Sequence, residues 1–63
     1  MNGTEFRKRR TDAGYKRRSS AAMSIGVAYD TVKDWELGRH PVPQYAIKWL
    51  DRVEAHARKR GRR

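Results

Sequence analysis

Apolar residues in this chain fall into four short runs with helical spacing, separated by glycine and proline. Phe6 and Ala13 lie seven apart, and Gly14 follows as a left-handed stop. Ala21, Ala22 and Ile25 make a second inward face that ends at Gly26. Val32 and Trp35, three apart, make a third that ends at Gly38. Pro43 then suits the first position of a longer helix, where its missing N–H has no partner to lose. Helices are therefore predicted over about residues 3–13, 18–25, 29–37 and 43–58. Asn2 is positioned to cap the first, with Glu5 three residues on to return the bond.

These boundaries predict an all-α domain of four helices, covering residues 1–60, with 61–63 as a basic tail. The second and third helices are separated only by Gly26, Val27 and Ala28, the spacing of a helix-turn-helix. On the fourth helix Ala46, Leu50, Val53 and Ala57 centre an apolar stripe, with Ile47 on one edge and Tyr45 and Trp49 on the other. The stripe is about 200° wide, more than one core requires. Tyr45, Trp49 and Val53 are thus either a homodimer interface with Trp49 central, or, for Trp49, part of the chain's own core.

Composition sharpens this picture. Sixteen basic residues stand against seven acidic ones in 63, a net charge of +9. Charge of that density points to a polyanion, most simply nucleic acid. It is not evenly spread: residues 1–18 carry +5, 19–38 carry −2 and 39–63 carry +6. A disordered basic chain would not enclose an ordinary middle in this way. No cysteine is present to form a disulfide or thiolate site, so a partner subunit is the expected source of further buried area. No apolar run reaches the length of a membrane span and no signal-like segment follows Met1, so a cytoplasmic protein is expected.

The stretch Gly26-Val27-Ala28-Tyr29-Asp30-Thr31-Val32-Lys33-Asp34-Trp35-Glu36-Leu37-Gly38 resembles the Cro/lambda-repressor-type helix-turn-helix family. That family reads Gly-Val-Ser-x-x-Thr-Val-x-x-Trp-Glu-x-Gly there. The run Arg39-His40-Pro41-Val42-Pro43 is similar to a loop of small phage-type repressors, some of them anti-CRISPR-associated. The likeness covers about residues 3–50, with Ala22 at the family's helix-crossing alanine. It implies an ion pair between Arg10 and Glu36, and a recognition helix beginning at Ala28–Tyr29. Ala28 stands where the family has a capping Ser or Thr, Arg9 where it is apolar, and Arg18 where it has Gln.

The resemblance places Tyr29, Asp30, Lys33 and Asp34, with Thr31 beside them, at DNA base edges, and Val32 and Trp35 face the other way. Lysine donates to guanine, and a carboxylate accepts from cytosine. For Asp30 the alternative is a simple complement to the positive end of its helix. Lys16, Arg17 and Arg18, with Arg39 and His40, are candidates for phosphate contact. Ser19, Ser20, His40 and His56 form no recognisable nucleophile, base and orienting group, so neither an enzyme nor a metal site nor a cofactor is expected. The expected function is transcriptional repression by a homodimer on a palindromic double-stranded DNA site. The alternatives are a basic RNA-binding structural protein and a protein–protein adaptor using the Trp49 edge.

Overall fold

The computed structural model describes residues 1–60, with side chains described as far as Arg58; the tail 61–63 lies outside the described residues. Four helices and no strand are formed among them: α1 (Gly3–Asp12), α2 (Arg18–Ile25), α3 (Tyr29–Leu37) and α4 (Gln44–Arg60). The pattern of apolar positions therefore places all four, and two boundaries move. Helix α1 closes at Asp12 because Ala13 is its C-cap. Pro43 lies outside α4, and its carbonyl accepts from Ala46 and Ile47 at 3.1 and 3.2 Å. It starts the helix as an acceptor, not as the first helical residue.

Local chemistry accounts for the ends. The amide of Glu5 donates to Asn2 Oδ1 at 2.7 Å, so Asn2 caps α1, although Glu5 returns no bond to it. Gly26 and Gly38 both have positive φ, 96° and 80°, which other residues adopt only at a cost. Each lets the next amide bond back five residues, Val27 to the Ala22 carbonyl at 3.0 Å and Arg39 to that of Asp34 at 2.9 Å. The starts of α2 and α3 are barer, because Arg17 and Ala28 give no side-chain cap.

Helix α3 packs against both α1 and α2, and α4 packs against α1. Between them lies one core of Phe6, Ala21, Ala22, Val32, Trp35, Ala46, Trp49, Leu50 and Val53. Phe6 meets Trp35 edge-on at 5.6 Å, and Tyr15 meets Trp49 in the same manner at 5.1 Å. Trp49 is 2 % exposed and its indole N–H donates to Ser24 Oγ at 2.8 Å. That overturns its assignment to a dimer interface: Trp49 and Val53 belong to the core of a single chain. Two aromatic neighbours and a satisfied indole N–H fix it there. Of the three proposed interface residues only Tyr45 remains exposed, and it lies 6.0 Å from the Trp35 ring.

Two contacts lock α1 in place. A Cβ at Gly3 would sit 2.5 Å from the Trp35 carbonyl oxygen and 2.6 Å from the Glu36 carbonyl carbon, so α1 begins directly on the backbone of α3. Arg9, in a position that resembles an apolar one, grips α4 through Glu54 at 2.6 and 2.7 Å and Asp51 at 3.0 Å. The Arg9 guanidinium holds the Glu54 carboxyl below its ordinary value, outweighing partial burial. No helix among the described residues is long and apolar enough to cross a membrane.

Candidate nucleic-acid interface

Helices α2 and α3 with their three-residue turn form a helix-turn-helix. Because Val32 and Trp35 are buried, the opposite side of α3 faces outward. Tyr29 and Asp30 stand exposed at its start, and Thr31 and Lys33 are half-buried behind them. The aromatic ring of Tyr29 is the most prominent group, with the residue 47 % exposed.

Tyr29 also lines a shallow cleft of about 420 Å³ with Arg7, Arg10, Lys16, Arg17, Arg18 and Ser19. Three helices contribute to it, since Arg7 and Arg10 lie on α1, Arg18 and Ser19 on α2 and Tyr29 on α3. Lys16 and Arg17 are exposed in the connector between α1 and α2. The cleft thus joins the start of the outward-facing helix to five cationic side chains. Arg7, to which the sequence pattern assigns no role, belongs to this group. Its signal was its spacing: three residues before Arg10, it shares that residue's side of α1.

Beneath the cleft, Glu36 carries the electrostatics. Its side chain is 1 % exposed and accepts from Arg10 at 2.5 and 3.2 Å and from Arg18 at 2.8 Å. Burial pulls the Glu36 carboxyl upward, and the bonds from Arg10 and then Arg18 pull it down further, leaving it below the ordinary carboxylate value. Arg10 also donates to the Tyr15 carbonyl at 2.7 Å, which fixes the α1–α2 connector over the same site. The Arg10–Glu36 pair is formed, as the resemblance implies. Arg18 is its unexpected third member. Its Nε is committed to Glu36 and its side chain is 24 % exposed, so it is a held arginine at the lip, unlike the solvent-facing Arg17.

The far end of α3 differs from expectation too. Asp34 turns from the outward face toward the loop, with its carboxylate 3.7 Å from Arg39 and 3.9 Å from His40. Its carbonyl accepts from the amides of the same two residues. Asp34 therefore organises the loop that carries Arg39 and His40. Both of those side chains remain 68 % exposed, and an exposed pair this loose leaves Arg39 free to exchange a carboxylate for a phosphate. The three residues form one group at the C-terminal end of α3, and the outward face at its start is left to Tyr29, Asp30, Thr31 and Lys33.

The geometry is that of a helix-turn-helix with a half-exposed helix start flanked by free cations. Comparison with protein-family models, curated proteins and solved structures gives no match to this chain.

Proposed function

We propose that the chain binds double-stranded DNA sequence-specifically and represses transcription by occupying its site. One observation carries this reading. Tyr29 opens α3 inside the same cleft as Arg7, Lys16, Arg17 and Arg18, so groups suited to base edges and groups suited to phosphates converge. With α3 in the major groove, Tyr29, Lys33 and Asp30 face bases, and Arg17, Lys16 and Arg7 face the flanking phosphates. Arg39 and His40, held by Asp34, meet the backbone at the other end of α3. Asp30 favours selectivity over adhesion, because a carboxylate beside phosphates lowers non-specific affinity.

One recognition helix reads only a few base pairs. Two chains on a two-fold site, about 34 Å apart, would double the contacts. Such pairing is set by the DNA and needs nothing from Trp49, which the core already holds. Such a repressor works in the cytoplasm, where its DNA lies.

Selection from random-sequence duplexes tests the proposal. A recurring two-fold motif, lost on combined Tyr29→Ala and Lys33→Ala in a folded chain, is the expected result. Uniform recovery of unrelated duplexes, or preference for RNA over any duplex, would overturn it.

A further inference from the structure

The α4 side of the molecule holds a second feature that DNA reading does not use. Beside α4 runs a groove made of two depressions, about 530 Å³ and 280 Å³, with Arg52 lining both. The larger is lined by Ala13, Tyr15, Val53 and Ala57, with the exposed Ala55 at its outer edge, and the smaller by Ile25, Tyr45 and Trp49. Along its edge stand Lys48, Arg52 and His56, each four residues from the next on the exposed side of α4. Neither Lys48 nor Arg52 has a carboxylate within ion-pair distance among the described residues.

We infer that this groove is a docking site for an amphipathic helix with an acidic flank, supplied by a partner protein. The two depressions together run along α4 from Tyr45 to Ala57, about 18 Å at the helical rise, and meet at Arg52. That length accepts about three turns of a partner helix, whose apolar anchors would recur every three or four residues. The rim decides the partner's charge. Lys48 and Arg52 on one side leave opposing carboxylates as the complement.

A second copy of this chain does not fit that description. Its Glu36 and Glu54 are held by Arg10, Arg18 and Arg9, and the exposed Asp12 and Asp51 lie on different helices, α1 and α4. Asp34 faces Arg39 and His40. Glu5 and Asp30 remain, one at the start of α1 and one at the start of α3, and they form no row. Two copies meeting through α4 would instead bring cationic rims together. A nucleic acid would satisfy the rim but leave Ala13, Ile25, Val53 and Ala57 of the lining without apolar cover.

The test uses the full chain and a displayed library of helix-favouring peptides, about 15 residues long to span the groove. Peptides with Asp or Glu flanking an apolar stripe are the expected winners. Their binding should shift the amide resonances of Ile25, Val53 and Ala55, and either Lys48→Glu or Arg52→Glu should weaken it about tenfold. The same two variants should recover an unchanged motif in the DNA selection. A failure of the DNA reading is therefore visible separately, as a missing motif with peptide binding intact. Enrichment of neutral or basic peptides, or no enrichment, would overturn the inference. So would shifts centred on Arg17 and Tyr29, concentration-dependent self-association that moves Val53, or duplex DNA that displaces the peptide from the groove.

Discussion

Replacing Glu36 with glutamine keeps the shape of the side chain and removes one charge from beneath two arginines. The consequence is set by burial. Glu36 is 1 % exposed and Arg10 only 4 %, so Arg10 would remain as a buried cation without its counter-charge. Breaking such a pair costs about 3–5 kcal/mol. A domain of this length has roughly 3–9 kcal/mol in all, from about 0.05–0.15 per residue. Glu36→Gln should therefore lower the melting temperature by at least about 12 °C, at some 4–8 °C per kcal/mol. The carboxyl's pKa lies below its unfolded value of about 4.3, so its contribution is complete above that pH and is lost as pH falls through the folded value. The variant should lack that part of the acid sensitivity and keep the part that comes from Glu54 with Arg9. Thermal and urea unfolding followed by circular dichroism at pH 7 and pH 3 measure both effects. A loss smaller than about 4 °C at pH 7, with unchanged cooperativity, would refute the claim that the triad is a buried structural unit. Replacing Arg10, Glu36 and Arg18 together with Met, Leu and Leu should restore much of the stability, because no charge is then stranded.

Other substitutions probe single contacts. Gly3→Ala, favourable by about 1 kcal/mol for an exposed helical position, should here destabilise by about 1–3 kcal/mol, since its Cβ meets the α3 backbone; urea midpoints give the sign. Ala28→Ser should add about 1 kcal/mol by supplying the missing cap of α3, seen as a raised melting temperature. Trp49→Glu should leave an unfolded chain by circular dichroism, whereas Tyr45→Glu, at an exposed position, should fold normally. Arg17→Ala should weaken binding to every duplex alike and flatten the slope of log K against log salt by about 0.9, checked by titration at several salt concentrations.

The four helices were legible because their signals are local: apolar spacing, an Asn cap and glycines that end each run. Residue contacts between helices were legible only where resemblance supplied them, as for Arg10 and Glu36. Arg18 shows why. At the start of α2 it looks like any other cation in a basic run, and only the folded chain reveals that Nε reaches a carboxylate 18 residues away. Asp34 misled for a related reason. A helical wheel places its Cβ outward, but the loop turns back over the end of α3 and draws the carboxylate toward Arg39 and His40. Trp49 was ambiguous because a wide stripe cannot say which of its residues the other helices reach. Tyr15, in the connector, covers the indole, and nothing in the α4 periodicity predicts that contact. Gly3 gave still less warning: a glycine one residue past a cap has no pattern to betray a backbone lying against it.

Net charge alone overstates what the fold leaves for a polyanion. Arg9, Arg10 and Arg18 are consumed in holding α1, α3 and α4 together, and Lys8 pairs within α1. Their acids are drawn from the same surface, which removes carboxylates that would repel phosphate. Besides Lys33 on α3, Arg39 after it and the cations from Arg58 onward, the internal pairing leaves two groups of free cations. Arg7, Lys16 and Arg17 stay free around Tyr29, and Lys48 and Arg52 stay free along α4. If this first group and Arg39 meet one phosphate each, a single chain should show a salt slope near −3.6, from about −0.9 per contact. A slope far steeper than this, flattened by Lys48→Glu or Arg52→Glu, would show that the α4 cations bind DNA as well. The number would then bear directly on the groove, because cations engaged with phosphate cannot also select an acidic helix.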